Sequence, residues 1–116
     1  MTAFSQWDIV VVPFPYTDRT TTKRRPALVV SNDDLHENHS LVWVVMITSA
    51  KNAKWEGDIE IKDFEAVGLP APSIIRPSKI VTIDAGLVLG KLGGIGDGER
   101  AKVKTQIARI LDEIRS

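Results

Sequence analysis

Apolar residues come in short β-branched or aliphatic blocks through most of the chain and change period only near its end. Ile9 to Val12 and Ala27 to Val30 predict strands. Between them, Pro13-Phe14-Pro15-Tyr16-Thr17-Asp18-Arg19-Thr20-Thr21-Thr22 is punctuated by prolines and threonines and reads as a loop. Asn32 to Ser40 reads as a second polar connection. It leads into Leu41 to Thr48, the longest apolar run, which predicts a strand covered on both faces. Asp58-Ile59-Glu60-Ile61 alternates as a half-exposed strand should. Ser73 to Arg76 and Lys79 to Ile83 flank Pro77, and Leu87 to Leu92 adds a short last strand. Beyond Gly93-Gly94-Ile95-Gly96, the residues Val103, Ile107, Ile110, Leu111 and Ile114 recur at helical spacing, with Asp97 placed to cap the start. Short strands followed by one amphipathic helix predict a mostly β fold, a small antiparallel barrel.

Composition narrows the function classes. At 116 residues, 43% hydrophobic, the chain predicts one domain spanning residues 1–116. With no cysteine, thiol chemistry and disulfides are excluded. Met1 to Gln6 lacks the basic start and apolar core of a signal peptide, and no apolar run approaches a membrane span, so a soluble cytoplasmic protein with no membrane partner is expected. Formal net charge is zero, so any nucleic-acid binding must come from charge placed locally. Arg19, Lys23, Arg24 and Arg25 against Asp18 give residues 18–25 a net +3, whereas Glu56, Asp58, Glu60, Asp63 and Glu65 against Lys62 give residues 56–65 a net −4.

The basic block Lys23-Arg24-Arg25-Pro26 opens an otherwise apolar strand. Because successive strand residues face opposite ways, Arg25 shares its side with Lys23 and Ala27, and Arg24 points away. Cations at a strand edge also guard against aggregation, and on composition alone that reading is preferred. The run ending at Ile47-Thr48-Ser49 brings two hydroxyls to a strand end where Arg25 can meet them, a combination suited to a phosphodiester. Hydroxyls at a strand end also serve turns by bonding the local backbone.

Four blocks, taken together and in order, carry a family resemblance: Trp7-Asp8-Ile9-Val10-Val11-Val12-Pro13-Phe14-Pro15, Lys23 to Ser31, Ile47-Thr48-Ser49, and Ser73-Ile74-Ile75-Arg76-Pro77-Ser78-Lys79. From about Trp7 to Leu111 the chain resembles the MazF/PemK-type toxin endoribonucleases of type II toxin–antitoxin systems. The resemblance implies an SH3-like barrel of the CcdB/PemK toxin type with a C-terminal helix. It implies sequence-specific cleavage of single-stranded RNA, with Arg25 and Thr48 as the catalytic pair and Lys23, Arg24, Ser49, Arg76 and Ser78 on the substrate side. It also implies a homodimer and a cognate antitoxin whose acidic disordered tail crosses the RNA groove.

RNA can cleave itself when its 2′-hydroxyl attacks the adjacent phosphorus, so the protein needs chiefly to align that attack and stabilise charge on the phosphoryl oxygens. A guanidinium offers two parallel donors and a threonine one hydroxyl, and neither a metal nor a cofactor is required. An arginine, with a pKa above about 12, acts by charge rather than by proton transfer.

The remaining candidates divide by setting. Arg76 either supports the phosphate or anchors a loop. Phe14 and Tyr16, just before the basic block, are suited to stacking on unpaired bases. His36 and His39 fit neither the toxin pattern nor a zinc or calcium spacing and read as surface residues. Trp43 and Trp55 read as core or interface residues rather than stacking platforms. Two departures from the family pattern stand out: Trp7 replaces the usual glycine, arguing against an unusual backbone angle there, and Ser78 stands where some members have an acid. The rival functions are a non-enzymatic toxin of the gyrase-poisoning type and a peptide-binding module, the latter disfavoured by a single tyrosine.

Overall fold

The computed structural model describes residues 3–15 and 22–112. The β-branched blocks form β1 (Asp8–Pro15), β2 (Thr22–Val29) and β3 (Leu41–Ser49). They are followed by the short β4 (Ile59–Ile61), the long β5 (Ser73–Asp84) and β6 (Gly90–Gly94). A short helix α1 (Asp33–His39) joins β2 to β3, and helix α2 (Asp97–Leu111) closes the described chain. The strands form one antiparallel sheet in the order β4-β5-β3-β2-β1-β6.

The curled sheet buries both faces. Ile9, Leu28, Val45, Ile47 and Ile75 line one face and pack with Ile59, Ile61, Val67, Leu69, Ile95 and the α2 residue Val103. On the other face, Val10, Val12, Ala27, Val29, Val42 and Val44 pack beneath Val88, with Phe4 and Ile83 against them. Alternate residues of β1, β2 and β3 therefore serve separate cores, which is why the Leu41 to Thr48 run is almost wholly apolar. Strand β6 packs closely against the β4–β5 connection. There a Cβ on Gly93 would meet the Val67 backbone at 2.9–3.0 Å, and one on Gly68, at φ +83°, would lie 2.9 Å from the Leu92 carbonyl.

Several expectations are corrected. Asn32 to Ser40 holds α1 rather than an unstructured loop. The helix buries none of its residues, and Asp33 accepts from the Gln6 main-chain N–H (3.3 Å) and the Ser5 hydroxyl (3.4 Å). Strand β5 runs unbroken through Pro77. Its pairing with β3 jumps from Val45 opposite Ile80 to Met46 opposite Arg76, so Pro77, Ser78 and Lys79 bulge out where no ladder N–H is needed. The last strand starts at Gly90, after a 3-10 turn over Ala85–Leu87. In α2 the cap is Gly96, and Asp97 is the first helical residue, where its charge favours the helix dipole. The apolar stripe of α2 outruns the core: Val103 is fully buried, but Ile110 and Leu111 are exposed.

Trp7 also overturns its expectation, since its φ is +75°. A left-handed conformation costs a non-glycine residue about 1–2 kcal/mol. It is held by an N–H bond to the Val29 carbonyl (2.8 Å), a bond accepted from the Ile95 N–H (3.2 Å) and burial of the indole in the first core. Asp8 secures the same corner, accepting from the Ser5 N–H at 2.8 Å and pairing with Lys91 at 3.4 Å. No described helix is long and apolar enough to cross a membrane.

Candidate functional site

The basic block opens β2. Lys23 and Arg24 are exposed and Arg25 is half-buried, with Val12 as its partner on β1. On the other side, the pairing of β2 with β3 runs from Val29–Val44 to Ala27–Met46 and stops there; extending that register two residues would set Arg25 opposite Thr48. Cross-strand neighbours stand about 4.5–5.5 Å apart at Cβ and share a face. By alternation Arg25 and Thr48 share the sheet face of Ala27 and Met46, two residues past the last paired rung. Lys23 lies on the same face and Arg24 on the opposite one, as alternation requires.

Thr48 is oriented by a residue that sequence reasoning did not single out. The Asn52 amide donates to Thr48 Oγ1 at 2.6 Å, which engages a lone pair and leaves the hydroxyl proton for a further acceptor. Ser49 plays the turn role instead, its Oγ accepting from the Lys51 N–H at 3.1 Å.

Arg76 lies across from Met46 on β5, one row along the same face. Its Nε and Nη2 donors are already engaged. Nε and Nη2 reach the Asp58 carboxylate at 3.1 and 2.8 Å, and Nη2 also reaches the Ala53 carbonyl at 2.7 Å. The side chains of this pair are only 7% and 1% exposed. Its guanidinium carbon sits 4.0 Å from the Trp55 ring centroid. This is the loop-anchoring geometry: Arg76 pins residues 53–58 beside Thr48. Asp58 was not singled out in the sequence, where it stands among the polar positions of an acidic, half-exposed strand.

The other candidates spread more widely. Ser78 projects from the β5 bulge into a shallow cavity of about 290 Å³ shared with Glu56, Gly57, Gln106, Arg109 and Ile110, toward α2. The backbone of Phe14 lies opposite Lys23, but Tyr16 and the side chain of Phe14 are outside the described residues. His36 and His39 sit on α1, at the far ends of β2 and β3 from Arg25 and Thr48, and the His36 ring packs on Phe4 with centroids 4.5 Å apart. Among the described residues, no three His, Asp or Glu side chains gather as a metal site would require. Neither Trp43 nor Trp55 is a core residue, at 43% and 42% exposed. Trp43 instead lines an apolar cavity of about 200 Å³ with Pro77, Ile80, Val81 and the α2 residues Ile110 and Leu111.

A family model described as the PemK-like, MazF-like toxin of type II toxin–antitoxin systems matches residues 5–111. The chain belongs to that family. Solved structures share its fold at low identity. The Mycobacterium tuberculosis toxin MazF-mt6 superposes with a TM-score of 0.74 at 17% identity, covering 93% of this chain and 99% of that one. An endoribonuclease from mycobacterial species, in complex with its cognate antitoxin, gives 0.76 at 17%, covering 98% and 100%. MazF in a MazE–MazF complex from Deinococcus radiodurans gives 0.76 at 18%, covering 92% and 94%. The chain has no match among curated proteins. The mostly β toxin fold expected from the sequence is the fold found, a six-stranded curled sheet with a C-terminal helix.

Proposed function

We propose that this member of the PemK/MazF toxin family is a sequence-specific endoribonuclease that cleaves single-stranded RNA in the cytoplasm, using neither metal nor cofactor. The observation that carries the reading is that Arg25 and Thr48 share one sheet face just past the last β2–β3 pair, with the Asn52 amide donating to Thr48 Oγ1.

In this reading a phosphodiester lies across β2 and β3. Arg25 binds the phosphoryl oxygens and stabilises the charge that grows there, Thr48 donates to the phosphate, and Lys23 holds a neighbouring phosphate. The 2′-oxygen forms a bond to phosphorus as the bond to the 5′-oxygen breaks. One proton leaves the 2′-hydroxyl and one reaches the departing 5′-oxygen, giving a 2′,3′-cyclic phosphate and a 5′-hydroxyl.

Two partners belong to the same reading. An antitoxin with an acidic disordered tail competes with phosphate for Lys23, Arg24 and Arg25. A second copy of the chain covers the exposed apolar group of Trp43, Ile80, Val81, Ile110 and Leu111.

The test is incubation of the purified protein with single-stranded RNA in excess EDTA, followed by analysis of the product ends. Discrete cuts ending in cyclic phosphate are expected. Activity lost on chelation and restored by a divalent ion would overturn the metal-free mechanism. Absence of cleavage under any condition would favour a toxin that acts by protein binding.

A further inference from the structure

Trp55 is an exposed aromatic on a loop built to hold it still. Its N–H donates to Asp58 Oδ2 at 2.8 Å and its carbonyl accepts from the Asp58 N–H at 3.1 Å, a turn completed by Gly57 at φ +90°. The Arg76 guanidinium lies 4.0 Å from the ring centroid, and Arg76 is fixed in turn by Asp58 and Ala53. The ring is nevertheless 42% exposed. Shielding the buried Arg76–Asp58 pair from water accounts for its covered side. It does not account for so much indole surface held in solvent at fixed orientation, where little ordering remains to oppose a ligand.

Position indicates the ligand. Arg76 pairs across from Met46, so Trp55 stacks on the sheet face that carries Arg25 and Thr48. The Lys79 ammonium comes within 5.4 Å of the ring, and Lys23 and Arg25 lie further along the same face. An aromatic ring set between cations matches the alternation of bases and phosphates in an unpaired strand. Reading this as part of the ribonuclease site above, we propose that Trp55 is a stacking shelf for one unpaired base of the RNA, next to the phosphate held at Arg25 and Thr48.

The test uses a single-stranded oligonucleotide spanning the mapped cleavage site, made uncleavable by a 2′-O-methyl group, together with versions carrying one abasic residue at successive positions. Base–aromatic stacking contributes about 1–3 kcal/mol by alanine substitution, so Trp55→Ala should weaken binding about tenfold, and Trp55→Phe should recover most of the loss. One abasic position should cost the wild-type protein the same factor and cost Trp55→Ala nothing further. A purely structural role for the ring would leave every abasic penalty unchanged in Trp55→Ala, and that result would overturn the proposal. So would wild-type affinity in Trp55→Ala. The abasic series on the unaltered protein keeps the test decisive even where removal of the indole loosens the loop. If Arg25→Ala loses affinity and cleavage while Trp55→Ala keeps both, the shelf falls and the ribonuclease reading stands. If wild-type protein neither binds nor cuts the RNA, both fall.

Discussion

Asn52 bonds the Thr48 hydroxyl and Asp58 bonds the Arg76 guanidinium, so in the proposed site one side chain of the loop serves chemistry and another serves shape. Losing the Asn52 hydrogen bond, at about 1 kcal/mol, is expected to lower kcat about fivefold with KM little changed. In a Thr48→Ala background, Asn52→Ala should add nothing, a coupling that a cycle of single and double variants measures directly. Independent losses would show that Asn52 acts elsewhere. Asp58→Ala should behave differently, because it strands a buried guanidinium. A destabilisation of about 3–5 kcal/mol is expected in denaturant titration, well above the cost of breaking an exposed pair. Trp7 sets two terms against each other: Trp7→Gly relieves about 1–2 kcal/mol of backbone strain but removes a core indole whose loss costs about 3–5 kcal/mol. A net loss of about 2 kcal/mol is expected, and a stabilised variant would mean that the strain dominates.

The elements are held in register by features that hydrophobic pattern does not display. Pro77 is accommodated because the β5 bulge removes the need for its N–H, and β6 lies against the β4–β5 connection where Gly93 lets its backbone rest against Val67. Gly93→Ala is accordingly expected to destabilise by about 1–3 kcal/mol. Gly86→Ala, with nothing within 4 Å of the added carbon, should be nearly neutral, and comparing the two melting temperatures checks that the close approach at Gly93 is what forbids a side chain there. The central parts of strands β1, β2 and β3 were legible as continuous apolar blocks because both sheet faces are covered, and helix α2 because burial on one side imposes a period of about 3.6. Helix α1 was not, since its seven residues bury nothing and leave no stripe to read. The left-handed angle at Trp7 was hidden because tryptophan is not a residue that announces one. At the site, the order of the four sequence blocks carried the Arg25 and Thr48 assignments. Asn52 and Asp58 matter only through contacts that form after β3 turns back toward β4 and β5.

At the scale of the whole molecule, a neutral chain keeps its charges apart: cations gather at the start of β2, while the acids of residues 56–65 follow the loop that Arg76 pins. RNA and an acidic antitoxin tail should therefore compete, and both affinities should fall as salt rises, because the exposed cations are screened. Charge reversal at Lys23 and Arg24 should weaken both ligands together. Retained RNA affinity under a saturating antitoxin peptide would refute the shared groove. The central claim is that Arg25 and Thr48 cut RNA by stabilising and orienting one phosphate, and single-turnover cleavage of a single-stranded RNA measures it most directly. Wild-type protein should cut, whereas Arg25→Ala and Thr48→Ala, with unchanged circular dichroism, should lose at least about a hundredfold in rate. Arg25→Lys should recover little, because an ammonium lacks the paired donors of a guanidinium. Cleavage by Arg25→Ala at the wild-type rate would contradict the account.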